Sequence, residues 1–86
     1  MNINQLTEVI KKKLLKNDII KSLKIEDKTF LHKHHMTNED DKFHLVIIIE
    51  SPELKKKNKL FSNRYIFKIL EYEIKNYIHS VRILFS

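Results

Sequence analysis

The residues best suited to chemistry in this 86-residue chain are its histidines, because it contains five of them and no cysteine. His32, His34 and His35 crowd one polar segment, and His79 stands alone just ahead of the apolar run Val81-Arg82-Ile83-Leu84. Imidazole is a good ligand for borderline metals such as iron and zinc, and it titrates near neutral pH. An ordinary iron–sulfur cluster is anchored mainly by thiolate, which this chain lacks. A cluster bound to these imidazoles therefore takes its sulfur from a second molecule. The pattern points to a partner-dependent metal site. Zinc held by the loop histidines is a weaker reading, since too few well-spaced ligands exist for a closed four-coordinate site.

Other candidates have blander readings. His34 and His35 are adjacent, so in an extended segment their side chains point opposite ways and do not easily join one site. His44, inside an apolar run, reads as a sheet-face residue. Asp40-Asp41 lies in a loop with no partnered nucleophile, which argues against hydrolase chemistry. Asp27 and Thr29 read as organisers of the same loop through short side-chain-to-backbone hydrogen bonds.

The elements that must position these groups follow from the spacing of apolar residues. Ile3, Leu6, Val9, Ile10 and Leu14 recur at helical period and predict a helix over 4–16, with Asn2 or Asn4 as its cap. A short half-buried strand covers 20–25, where Leu23 and Ile25 alternate with Ser22 and Lys24. A polar stretch from 26 to 42 has little periodicity, and loops of that length are often functional. The β-branched run over 43–49 predicts a central strand with both faces mostly covered. Ser51-Pro52 reads as a helix cap and first turn. A lysine-rich break over 55–59 precedes a long helix over 59–76, whose expected stripe is Leu60, Phe67, Leu70 and Ile74, supported by Ile66 and Tyr77. The last strand is expected over 79–85.

Two strands joined by a loop pair antiparallel, and a strand reached through two helices crosses over to lie parallel beside its predecessor. The expected fold is α+β, in the order α-β-β-α-α-β, with a three-stranded mixed sheet covered by helices on one face. No repeat or linker breaks the chain, so a single domain over 1–86 is expected. A chain of this length buries about 60–65% of its unfolded surface.

The 42% hydrophobic and 33% charged composition suits a globular protein rather than a disordered one. The absence of cysteine makes a reducing cytoplasm the natural location. Lysines at 11–13 interrupt the first helix, leaving no apolar core of a signal peptide. The longest unbroken apolar stretch, Leu45 to Ile49, falls far short of the roughly 20 residues that span a bilayer. The net charge of +6 raises nucleic acid as a partner. Lys55, Lys56, Lys57, Lys59 and Arg64 are the candidate phosphate contacts, although a chain rich in Lys, Ile and Asn also acquires charge through codon bias alone.

Several segments in register resemble the BolA family. Ile25-Glu26-Asp27-Lys28-Thr29-Phe30-Leu31-His32 looks like that family's acidic, hydroxyl and histidine residues after the first strand. Phe43-His44-Leu45-Val46-Ile47-Ile48-Ile49-Glu50-Ser51 looks like its aromatic, apolar strand and terminal serine. Leu60 through Phe67, with Arg64, resembles the start of its long helix, and Ile78-His79-Ser80-Val81-Arg82-Ile83 its histidine signature. The resemblance implies a fold similar to class II KH domains and a non-enzymatic cytoplasmic protein that pairs with a monothiol glutaredoxin. It further implies a shared [2Fe–2S] cluster, whose sulfur ligands come from the glutaredoxin and its glutathione. Carried onto this chain, the family's ligands fall on His79 and His32, with His34 and His35 as rivals for the loop position.

Some positions depart from the family pattern. Lys42 stands where the family often has a histidine before the strand aromatic, and Ser62-Asn63 replaces a basic pair near Arg64. The alternative that the resemblance leaves open is a DNA-binding regulator of transcription and stress response, acting through the basic helix region. A KH-type RNA clamp needs a GXXG loop, and this chain has no glycine. Alone, the protein is expected to be a monomer or weak homodimer.

Overall fold

The computed structural model describes residues 1–29 and 42–86. His32, His34, His35 and the acidic residues Glu39, Asp40 and Asp41 lie outside the described residues. Seven elements follow one another: α1 (Ile3–Leu15), β1 (Ser22–Asp27), β2 (Phe43–Glu50), α2 (Pro52–Lys56), α3 (Lys59–Ile69), α4 (Glu71–Tyr77) and β3 (Ile78–Phe85). The strands form one sheet in the order β1-β2-β3, antiparallel between the first two and parallel between the last two. The α+β class and the expected element order both hold.

The start of α1 is fixed by a reciprocal pair of bonds. Asn2 Oδ1 accepts from the Gln5 amide at 2.8 Å, and Gln5 Oε1 accepts from the Asn2 amide at 3.0 Å. Two of the helix's orphan donors are satisfied this way. Leu6, Ile10 and Leu14, spaced four apart, are fully buried against Leu45, Ile47 and Ile49 of β2 and Ile83 of β3. β2 is thus the middle of the core, but only its inward side is sealed. His44, Val46 and Ile48 on the other side are half-buried. The continuous apolar run of β2 therefore reflects one covered face and one partly open face, rather than two covered ones.

β1 reaches two residues further than expected, because Glu26 and Asp27 pair with Val46 and Leu45. Period-2 alternation hides such polar strand ends. The larger difference lies in the long helix, which divides at Leu70 (φ −100°, ψ 17°) while the bonds from Leu70 N to Ile66 O and from Ile74 N to Leu70 O carry the ladder across. Its buried side is Ser62, Ile66, Leu70 and Glu73, whereas Leu60 is 62% and Phe67 41% exposed.

The expected stripe was displaced because two of the inward residues are polar. Ser62 Oγ donates to the Leu54 carbonyl at 2.6 Å and ties α3 to α2. Glu73 is met by Lys13 Nζ at 2.7 and 2.8 Å, tying α4 to α1. Buried polar groups are tolerated when paired in this way. Tyr65 adds a third tie, donating to Asn17 Oδ1 at 3.0 Å. Among the described residues, no helix is long and apolar enough to cross a membrane.

Candidate metal centre

His79 occupies the second position of β3, and its placement depends on a slip in register. Phe43 pairs with Ile78, but the next residue, His44, pairs with Ser80, so β3 carries one extra residue at His79. An extra residue in one strand breaks the alternation of faces. Ile78 consequently points into the core, both His79 and Ser80 are exposed, and Ile83 is again buried. The sequence contains a sign of this: inward apolar residues at 78 and then at 81, 83 and 85 change parity, which an unbroken strand does not allow.

The slip brings a second histidine into play. The His44 and His79 ring centres are 4.9 Å apart, with their planes tilted by 54°. His44 Nδ1 and Ser80 Oγ share a hydrogen bond at 2.7 Å. The backbone of His44 is held on both sides, its amide donating to Thr29 Oγ1 at 3.2 Å and its carbonyl accepting from the Lys28 amide at 2.7 Å. Thr29 is anchored in turn: its amide donates to Asp27 Oδ1 at 2.9 Å, and its hydroxyl donates to the same oxygen. The short side-chain-to-backbone bond expected of Asp27 and Thr29 is thus present, and Thr29 also reaches His44.

His44 is the second imidazole of this face. It is on the sheet face as expected, yet that face is the one His79 shares. The signals available were its outward parity between the buried Leu45 and core-packed Phe43, and the parallel start of the strand bearing His79. Two imidazoles side by side on neighbouring strands are of a donor type that borderline metals accept. Among the described residues, no group of three or more histidines, aspartates or glutamates gathers to enclose a metal. The donor chemistry of the two imidazoles fits a borderline metal only if further ligands come from elsewhere.

The basic residues gather at the other end of β2. Lys55, Lys56, Lys57, Lys59 and Arg64 are all exposed around the break between α2 and α3. There Asn58 caps α3 by accepting from the Phe61 amide at 2.7 Å. Lys57 Nζ lies 5.7 Å from the centre of the Phe61 ring, which stacks at 6.5 Å on Tyr65. A shallow cleft of about 360 Å³ is lined by Asn58, Leu60, Phe61, Arg64, Tyr65 and Lys68. The end of β2 at Glu50 lies six residue steps beyond His44, about 20 Å at the usual rise, so the two regions are distinct.

Comparison with known proteins agrees with this architecture. The family model described as BolA-like protein matches residues 15–85, from the end of α1 through β3. The chain belongs to the BolA-like family. Among solved structures, it is similar to the BolA domain of SufE1 from Arabidopsis thaliana, at 25% identity and a TM-score of 0.72, covering 92% of this chain and 87% of that one. It also resembles BolA1 from Arabidopsis thaliana in fold, at 23% identity and a TM-score of 0.73 with the same coverage. No curated protein matches by sequence.

Proposed function

We propose that this BolA-like protein is a non-enzymatic adaptor that binds a monothiol glutaredoxin and shares a [2Fe–2S] cluster with it, in iron–sulfur cluster handling or iron and redox regulation. The observation that carries this reading is an exposed His79 set beside a second imidazole in a chain with no cysteine. The glutaredoxin cysteine and its glutathione would supply the sulfur ligands, and this chain the nitrogen ligands. Histidine in place of thiolate raises a cluster's reduction potential, as in Rieske centres. The family resemblance assigns the second ligand to His32. Thr29, whose side chain accepts from the His44 amide, precedes it by three residues, a chain reach of at most about 10 Å. The reading places the protein in a reducing cytoplasm.

The test is cluster reconstitution with a monothiol glutaredoxin, followed by visible absorption and circular dichroism. The mixed cluster is expected to give a spectrum distinct from that of the glutaredoxin alone, and His79→Ala to return it to the glutaredoxin spectrum. A mutant spectrum equal to wild type contradicts ligation by His79.

The exposed cations beside the Phe61–Tyr65 pair support a second reading, a DNA-binding regulator contacting phosphates through Lys55, Lys56, Lys57, Lys59 and Arg64. It predicts affinity that falls steeply with salt and weakens when these lysines are replaced; binding indifferent to both removes it.

A further inference from the structure

We infer that the exposed face of α3 is a docking site for an acidic peptide segment of a partner protein, anchored by a large apolar side chain. The inference stands apart from the cluster reading, which concerns the histidine end of β2.

Helical spacing decides what this face presents. The inward side of α3 carries Ser62 and Ile66, so Leu60, Arg64 and Lys68 form a row on the opposite side, with Phe61 beside them. Leu60 is 62% and Phe61 49% exposed. A lone exposed apolar residue is ordinary, but these two adjoin and line a cleft of about 360 Å³ together with the Tyr65 ring. That volume falls at the lower end of ligand clefts, about 300–1,000 Å³. The cleft is also fixed in shape. Tyr65 is tied to Asn17 through its hydroxyl, and the Asn58 side chain is committed to capping α3.

Charge selects the occupant. From Leu54 to Leu70 the chain carries six cations and no carboxylate. Among the described residues, none of these six is held in an ion pair. An anionic partner is therefore attracted to this corner. The apolar half of the face favours a peptide over a nucleic acid. A duplex turns phosphates and sugars toward Leu60 and Phe61 and gives them no apolar partner. The Phe61 ring already has a cation over it, Lys57 Nζ at 5.7 Å, which an unpaired base must displace to stack on that face. A carboxylate instead meets that ammonium where it stands, and the Arg64 fork takes a second one bidentately. An aliphatic or aromatic side chain between the two carboxylates then covers Leu60 and Phe61. An apolar centre with a charged rim is the build in which an anchor residue supplies affinity and the charges supply steering and register.

The experiment is fluorescence anisotropy on the full chain with three short labelled peptides. One has glutamates around a central Leu-Phe pair, one replaces that pair with serines, and one replaces the glutamates with glutamines. A labelled DNA duplex and its single strand are the nucleic-acid arms. The first peptide is expected to bind at least about tenfold more tightly than the other two peptides and both DNA probes. Leu60→Ser is expected to weaken it about tenfold. Arg64→Gln with Lys68→Gln, both at exposed positions, should have a similar effect and serves as the second variant if Leu60→Ser alters folding. His79→Ala should bind the peptide as wild type does, whatever becomes of the cluster reading. Equal affinity for the serine peptide reduces the attraction to charge alone and overturns the proposal. Tighter binding of either DNA probe, or no saturable binding of the first peptide below about 1 mM, overturns it as well. Loss of peptide binding in His79→Ala moves the contact to the histidine end and contradicts the assignment.

Discussion

The two ends of β2 carry the two groups of residues most capable of binding something, and they are built differently. At the start of the strand, His44 is fixed by its pairing with Ser80, by backbone bonds to Lys28 and Thr29, and by the ring of His79. At the far end, the lysines project from a helix break into solvent, and Lys57 lies over the Phe61 ring. Ligating a metal needs donor atoms held to a fraction of an ångström, and the histidine end supplies the constraints for that. Phosphate attraction tolerates long mobile stems and is set by charge density, and the lysine corner offers that and little geometry. The contrast suits the proposed directional chemistry at one end and the alternative, non-directional attraction at the other.

The contrast is sharpest in the response to side-chain removal. His79→Ala should abolish the histidine-dependent optical change of the glutaredoxin complex, while replacing Lys55, Lys56 and Lys57 with glutamine should leave it intact; visible circular dichroism on both variants checks this. A lysine variant that also loses the signal would merge the two regions. Ile47→Ala, at the centre of β2, should cost about 3 kcal/mol in urea denaturation, a large share of the ~4–13 kcal/mol available to a chain of this length. Ile47 is fully buried and lies between the two ends, so both should lose structure in one transition.

Lys13→Met should cost less, about 1–3 kcal/mol by the same measurement. It strands the buried Glu73 carboxylate, but Lys13 itself is 38% exposed and its attraction is partly screened. The optical signature of the histidine end should survive, since α1 and α4 meet away from His44. Lys57→Gln with Lys59→Gln should move stability by no more than about 0.5 kcal/mol. If the lysine corner holds DNA, the same pair should lower the slope of log affinity against log salt by about 0.9 for each phosphate that is no longer neutralised.

Much of the fold was legible in the sequence because its signals are periodic. Leu6, Ile10 and Leu14 repeat at four, and Leu45, Ile47 and Ile49 at two, so helix, strand and sheet order follow. The buried side of the long helix was not legible. Ser62 and Glu73 take inward positions only because Leu54 and Lys13 stand ready to bond them, and those partners are distant in sequence. Leu60 and Phe67 looked like the core for want of that information. For the site, His79 announced itself through its motif, but His44 did not. The closeness of its ring to that of His79 depends on a one-residue register slip between β2 and β3, a relation between two strands that neither reveals alone. Only the change of parity between Ile78 and Val81 hinted at it.

The central claim is that this chain places two imidazole nitrogens on one iron of a cluster whose sulfur ligands belong to another protein. The most direct measurement labels the histidines of this chain with ¹⁵N, leaves the glutaredoxin unlabelled, and records the nitrogen hyperfine couplings of the reduced complex. Two ¹⁵N couplings arising from this chain are predicted. A spectrum with no ¹⁵N coupling, from a complex that nonetheless holds its cluster, would contradict the account.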